Sequence, residues 1–173
     1  QKELDQLSDM CGSDVKMALC GIGKVNAAIC ATTLIAEHHP DAVLSVGVSG
    51  SIRRDIRQGD IVVANRVAYH DVWCGEGCEM GQVQGLPRYC ECHKGITATL
   101  QQSLPEAHSG LLVCGDQFYI SLSEDERILA LYPDALAADM ESAAIAQVCH
   151  IHHVPFSTVR IVSDSHDSDD SQQ

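Results

Sequence analysis

Hydrophobic and polar residues follow two periods along the chain, which predict strands and helices in turn. Runs rich in β-branched residues are typical of buried strands. Between them lie longer stretches in which apolar residues recur every three or four positions, as on the buried face of a helix. These patterns predict strands at 15–19, 42–48, 60–67, 110–114 and 156–162, and helices at 25–37, 93–103, 123–132 and around 144–149.

The order of these elements predicts the fold class. A chain of 173 residues suits one domain with a sizeable core, and no repeat or linker divides it. Strands that alternate with helices form α/β sheets of mixed or mostly parallel order. We therefore expect one α/β domain over residues 1–173, with a central, mixed, mostly parallel sheet flanked by helices.

The turn Gly21-Ile22-Gly23-Lys24 joins a predicted strand to a predicted helix. The N–H groups at a helix N-terminus can bind a phosphate. The alternative is a tight turn that only packs the strand and the helix closely, and a lone G-x-G favours that alternative.

The stretch 138–164 carries the main candidate chemistry. Asp139 and Glu141 precede a helical run, while Ser163 and Asp164 follow a β-branched strand. Ligands of open α/β sheets bind at the carboxyl ends of strands. A carboxylate in the first turn of a helix is stabilised by the positive end of the helix. The two elements therefore present two carboxylates, one suited to act as an acid and the other as a polar clamp.

Charge and composition exclude several classes of protein. A formal net charge of −13 argues against a nucleic-acid surface, because phosphate binding needs clustered Lys and Arg. No apolar run approaches the roughly 20 residues of a membrane span, and the polar start is unlike a signal peptide. Nine cysteines without a secretory segment predict reduced thiols in a cytoplasmic protein.

A cluster of potential metal ligands comprises Cys74, Cys78, Cys90, Cys92 and His93. Its spacings, C-x3-C and C-x-C-H, do not match the paired motif of structural zinc sites. Plain loop cysteines are the favoured interpretation, so we expect no metal and no cofactor.

An ordered series of motifs resembles the nucleoside phosphorylase/nucleosidase superfamily, in which a Met-Glu pair opens a helix and a Ser-Asp ends the next strand. Within it the chain is similar to the bacterial 5′-methylthioadenosine/S-adenosylhomocysteine nucleosidases, from about residue 20 to residue 164. Besides Met140-Glu141 and Ser163-Asp164, the motifs are GIGKVNAA from Gly21, VGVSG from Val46, GDIVVA from Gly59, YHD from Tyr69, GQVQGLP from Gly81 and GDQFY from Gly115. The resemblance implies hydrolysis of the N-glycosidic bond of methylthioadenosine and S-adenosylhomocysteine, with release of adenine.

The resemblance also assigns the two carboxylates. Asp164, steadied by Ser163, is expected to protonate the departing adenine, and Glu141 to accept hydrogen bonds from the ribose 2′ and 3′ hydroxyls. Taken alone, a strand-end Asp is more often a helix cap or a turn former, and the place of Asp164 in the motif reverses those odds. Arg160, on the same strand, is expected to form a structural ion pair.

The other contacts that the resemblance implies are apolar or made by the backbone. Met140 would lie against the ribose and Phe118 would stack on adenine, whose edge the backbone of Tyr119 would read. Ile22 would form an apolar wall near the 5′ group. Val48 stands where some of these enzymes carry a serine, so that polar contact is lost.

The chain departs from the family in two respects. The glutamate that activates water in the family lies in an early acidic loop, and no residue here matches it. Glu3 has different surroundings, so the attacking base is unassigned. The first strand and the last helix of the family have no counterpart either, so we expect the domain to lack both.

Three functions remain open. Ser45 and Val48 stand where phosphorylases of the superfamily hold phosphate with an arginine and a hydroxyl, so water is the expected nucleophile. The alternatives are a purine nucleoside phosphorylase and a non-catalytic nucleoside-binding fragment. The segment 72–86 resembles the part of the family that reaches a neighbouring subunit, which implies a homodimer with Trp73 as a candidate for burial.

Overall fold

The computed structural model describes residues 11–118 and 122–164, and only the backbone of Asp164. The helices are α1 (Lys24–His38), α2 (Lys94–Ser103), α3 (Leu122–Leu131) and α4 (Ser142–His152). The strands are β1 (Val43–Ser51), β2 (Ile61–Tyr69), β3 (Tyr89–Glu91), β4 (His108–Cys114), β5 (Ala135–Asp139) and β6 (Phe156–Asp164).

The strands form one sheet that closes on itself. Their order is β3-β2-β4-β5-β1-β6, and β6 returns to pair with the first half of β2, so that five strands make a barrel and β3 extends it. The longer ladders, β1–β6, β2–β4 and β4–β5, are parallel, and the shorter ones are antiparallel. The predicted single α/β domain with a mixed, mostly parallel sheet is confirmed.

Two of the strand predictions need correction. Residues 15–19 form no strand, and Val15 and Leu19 are exposed. A run with strand composition becomes a strand only where a neighbour accepts its hydrogen bonds, and this segment has no such neighbour within the described part of the chain. The strand predicted at 42–48 ends too early, because β1 continues to Ser51 and pairs there with β5.

Helices cover both sides of the sheet. Small side chains of α1 and α4 let these helices pack closely on each other and on one face of the strands, around a core that includes Ala27, Ala31 and Cys149. A second core lies under α3, where Ile128 and Tyr132 contact β4 and β5. No helix among the described residues has the length and apolar character needed to span a bilayer.

The long segment between β2 and β3 is anchored at Gly81. The N–H of Gly81 donates to the carbonyl of Val72 over 2.7 Å. The hydroxyl of Tyr132 bonds the carbonyl of Tyr69 at 2.7 Å and that of Met80 at 3.3 Å, which ties this segment to the barrel. Gly81 has a φ of +86°, and a Cβ there would lie 1.9 Å from the Tyr132 hydroxyl oxygen.

The ends of β2 and β4 meet at His70 and Gly115. His70 is fully buried, and a Cβ on Gly115 would lie 2.3 Å from the imidazole Cε1, so only glycine fits. Burial lowers the pKa of His70 from 6.5 to about 4, although the neighbouring carboxylate of Asp71 opposes the shift. The folded protein therefore holds a neutral imidazole at this junction.

Gly81→Ala is expected to destabilise the protein more than Gly85→Ala. Both glycines have positive φ, +86° and +81°, so both variants carry similar backbone strain, but nothing lies within 4 Å of a Cβ at Gly85. The clash with Tyr132 should add about 1–3 kcal/mol, as overpacking does. Urea unfolding of the two variants measures the difference, and equal losses would contradict the anchoring role of Gly81.

His70 is expected to make the folded state acid-sensitive. Its pKa is depressed in the folded state, so its contribution is fully present above pH 6.5 and is lost as the pH falls towards 4. By pH 5 the loss should reach about 2 kcal/mol relative to pH 7.5. His70→Gln should flatten the dependence of the free energy of unfolding on pH across this window. Parallel curves for the two proteins would exclude His70 as the source.

Candidate functional site

One cavity gathers most of the residues that the sequence singled out. Its volume is about 350 Å³, and it lies where β1, β5 and β6 end, next to the N-terminus of α1. Its lining includes the predicted residues Ile22, Val48, Phe118, Met140, Glu141 and Ser163.

A buried ion pair forms the floor of the cavity. Arg160 Nη2 and Nε lie 2.7 and 2.8 Å from Oδ2 of Asp139, and the two side chains are only 2% and 1% exposed. The remaining guanidinium donors bond the carbonyl and hydroxyl of Ser45 and the carbonyl of Val159. The ion pair expected at Arg160 is therefore present, with Asp139 as its partner.

Asp139 also sets the corner that leads into α4. Its Oδ1 accepts the hydroxyl of Ser142 at 2.7 Å and the Ser142 N–H at 3.2 Å. Between these residues, Met140 and Glu141 turn into the cavity. Glu141 occupies the N-cap position of α4, one residue before the predicted first turn, and its side chain does not cap the helix.

The carboxylate of Glu141 is held by the glycine turn before α1. The N–H of Gly23 donates to Glu141 Oε1 over 2.8 Å. Oε2 has no hydrogen-bond partner in the part of the chain that the structure describes, and Glu141 is partly exposed. The carboxylate is thus fixed through one oxygen and can accept a hydrogen bond from a ligand through the other.

Carboxylates accept hydrogen bonds at the N-terminus of α1, where the sequence left a phosphate site open as one of two alternatives. Besides the Gly23 bond, the N–H of Lys24 donates to Asp116 Oδ1 over 2.7 Å. The Lys24 ammonium binds Asp71, whose Oδ2 also accepts the Asp116 N–H. Burial raises the pKa of Asp71, but these two donors outweigh it and hold that pKa below its ordinary value. These contacts favour the tight turn over a phosphate site.

The walls of the cavity are apolar and open to solvent. Ile22 is 74% exposed, Phe118 70% and Val48 62%. Exposed apolar side chains grouped around a concave surface are typical of a ligand-binding or protein-binding site. Because the floor is charged and the walls are apolar, the cavity suits a ligand with a polar and an apolar part.

The carboxyl end of β6 reaches the same cavity. Ser163 lines it and donates a 3.4 Å hydrogen bond to the carbonyl of Ser49. The backbone of Asp164 pairs with Gly50, another residue of the lining. The side chain of Asp164 and the whole of Tyr119 lie outside the described residues.

The sequence analysis missed several lining residues, among them Asp125 and Cys20. Asp125, on α3, is buried, and its spacing from Ile128 and Tyr132 (i, i+3, i+7) could have placed it on the inward face. Cys20 lies beside Glu141. Burial, with Glu141 and Cys30 nearby, raises the pKa of the Cys20 thiol, so it is protonated at neutral pH.

The cysteine cluster does not assemble into a site. Among the described residues, no three His, Cys, Asp or Glu side chains come together in a way that could hold a metal ion. Each of the nine cysteines has a free thiol, and Trp73 is 63% exposed.

Comparison with known proteins connects this cavity with a family. The family model for the phosphorylase superfamily matches residues 9–173. The chain is 37% identical over 156 residues to a 5′-methylthioadenosine/S-adenosylhomocysteine nucleosidase of Staphylococcus aureus, covering 87% of this chain and 68% of the relative.

Solved structures give the same assignment. The nucleosidase of Streptococcus pneumoniae with the transition-state inhibitor MT-ImmA superposes with a TM-score of 0.82 at 36% identity, over 86% of this chain and 68% of that one. The nucleosidase of Colwellia psychrerythraea in complex with adenine also gives 0.82, at 34% identity over 86% and 65%. On this sequence and structural similarity, the chain belongs to the phosphorylase superfamily and, within it, to the family of the 5′-methylthioadenosine/S-adenosylhomocysteine nucleosidases.

Proposed function

We propose that the protein hydrolyses the N-glycosidic bond of 5′-methylthioadenosine and S-adenosylhomocysteine, releasing adenine and the 5′-thio-substituted ribose. The main support for this proposal is the cavity, in which Glu141 faces apolar walls beside the end of β6. Its volume falls in the range of small-molecule sites. Relatives that share the fold act on these nucleosides or bind adenine, as their names state.

Cleavage requires a proton for the leaving base and stabilisation of the cationic sugar. Asp164 would donate its proton to adenine N7 as the C1′–N9 bond breaks, and water would add to C1′. The backbone of Asp164 stands opposite Gly50 in the lining, which supports this role, and Ser163 is its neighbour in the cavity. The residue that activates the water is unassigned.

Glu141 would bind the sugar through Oε2, its second carboxylate oxygen. A hydrogen bond from a ribose hydroxyl to a carboxylate strengthens as the ring gains positive charge, so the contact stabilises the transition state more than the ground state. Met140 would lie against the ribose. Phe118 and the backbone of Tyr119 would bind adenine, Ile22 would face the 5′ substituent, and Val48 would line the substrate pocket without a polar contact.

The charges of the cavity favour water over phosphate as the nucleophile. Arg160 is the one Lys or Arg among the described lining residues, and every guanidinium nitrogen already has a protein partner. A phosphate dianion would meet Asp125 and Glu141 without a free cation to bind it. A purine nucleoside phosphorylase is therefore the weaker candidate.

We further infer that the protein is a single domain over residues 1–173, and a cytoplasmic homodimer that serves methionine salvage. Nine free thiols are compatible with a reducing compartment. Apolar surface for a second copy is offered by exposed Trp73, by Val25 and Ile29 on α1, and by Ile22 in the turn before that helix. Neither a nucleic acid nor a membrane is expected as a partner.

Asp164→Asn is expected to leave ligand binding within a few-fold of the original and to lower kcat by about 10²–10⁴-fold, the usual contribution of a general acid. Adenine release measures turnover, and calorimetry with methylthioadenosine measures binding. Asp134→Asn, an exposed acid paired with Arg66, is the matched control and should keep full activity. Equal turnover of Asp164→Asn and the original protein would remove Asp164 from this role.

Adenine release from methylthioadenosine is expected without phosphate, at a rate that added phosphate does not change. Release of the free base, adenine or, from inosine, hypoxanthine, is measured for methylthioadenosine, adenosine and inosine with and without phosphate, and the sugar product is identified by mass. A phosphorylated sugar and a phosphate requirement would establish a phosphorylase instead. Binding of methylthioadenosine without adenine release would indicate a nucleoside-binding protein.

A further inference from the structure

Three charged residues from three elements meet at the rim of the cavity. Lys24 opens α1, Asp71 follows β2 and Asp116 follows β4. None of them lines the cavity, and the proposed function gives none of them a part. Their side chains are 22%, 18% and 46% exposed, so they are partly shielded from water.

The contacts among the three residues form a closed ring, which we call the rim network. Lys24 Nζ lies 3.0 and 2.9 Å from the two oxygens of Asp71 and 3.8 Å from Asp116 Oδ2. Backbone groups complete the ring, because the Lys24 N–H donates to Asp116 Oδ1 and the Asp116 N–H donates to Asp71 Oδ2. The Lys24 ammonium also lies 5.2 Å from the centre of the Tyr69 ring.

Two residues next to the rim network connect it with the cavity: Gly23 bonds the lining residue Glu141, and Phe118 lines the cavity. Gly23, which immediately precedes Lys24, donates the hydrogen bond that holds Glu141. Phe118, two residues beyond Asp116, forms an apolar wall. Displacement of the N-terminus of α1 would thus move the donor to Glu141, and displacement of Asp116 would move the aromatic wall.

We propose that Lys24 is a positioning residue: by holding Asp71 and Asp116 together, it fixes the turn whose Gly23 N–H aims the Glu141 carboxylate at the sugar. This inference rests on the proposed function, in which Glu141 accepts hydrogen bonds from the ribose hydroxyls. Asp71 and Asp116 are like charges, and the ammonium between them supplies the positive charge at this corner, beside the hydrogen bond from the Asp116 N–H to Asp71.

The test is whether kcat/KM of Lys24→Met depends less on the sugar hydroxyls than kcat/KM of the unaltered protein. We compare kcat/KM for methylthioadenosine with kcat/KM for its 2′-deoxy and 3′-deoxy analogues. The ratio should shrink severalfold in Lys24→Met, towards the ratio of Glu141→Gln, while Lys24→Arg restores it. Activity on methylthioadenosine should fall by about tenfold or more, since a misplacement of ~1 Å can cost ~10²-fold.

Arg66→Met is the matched control. Arg66 also pairs with an aspartate, Asp134, and lies 4.6 Å from the centre of a tyrosine ring, Tyr89, but it is remote from the cavity lining. Its loss should leave the ratio unchanged. If Lys24→Met fails to fold, Asp71→Asn, which keeps the size of the side chain and removes the charge that Lys24 binds, takes its place.

The outcomes separate this inference from the proposed function. Equal losses on methylthioadenosine and its deoxy analogues in Lys24→Met, or no loss at all, would overturn the role of Lys24. If the ratio is the same in the unaltered protein and in Glu141→Gln, the proposed role of Glu141 fails instead. If the protein binds nucleosides without cleaving them, the same comparison is made with the ratio of the Kd values for methylthioadenosine and its deoxy analogues.

Discussion

The ion pair between Arg160 and Asp139 holds the cavity together. It joins the middle of β6 to the end of β5, and further bonds of the same guanidinium attach Ser45 on β1. Removal of either charge would leave the other buried without compensation, a loss of about 3–5 kcal/mol in comparable pairs. Since Asp139 also binds the first residue of α4, the pair fixes the backbone corner from which Met140 and Glu141 enter the cavity.

The same pair determines the electrostatic character of the site. With the guanidinium fully engaged, the other acidic side chains that line the cavity among the described residues are Glu141 and Asp125, and no further Lys or Arg lines it there. Such a site attracts a developing cation and repels an anionic co-substrate. Ser45, at the position where the resemblance implies an arginine in phosphorylases, supplies no cation, and its hydroxyl instead accepts a hydrogen bond from Arg160.

Local periodicity explains which helices and strands could be predicted from the sequence. The helices and the long strands were predicted to within three residues at their ends, because each repeats a pattern over many positions. β5 was missed because ALAAD is rich in alanine, which is depleted in strands, and β3 because it has three residues. Closure of the barrel by β2 and β6 joins segments about a hundred residues apart, and no local pattern records such a pairing.

The functional site shows the same difference between features that local motifs indicate and features that depend on long-range contacts. Resemblance grouped Glu141, Met140 and Ser163, and the structure places all three in one cavity. The resemblance could not reveal the rim network, because Lys24, Asp71 and Asp116 belong to three separate motifs. Their mutual contact depends on how β2, β4 and α1 converge. A motif identifies residues from their local sequence, whereas the contacts that orient those residues join elements far apart in the chain. Glu141 illustrates the difference, because its identity is local and its orientation depends on Gly23, 118 residues earlier.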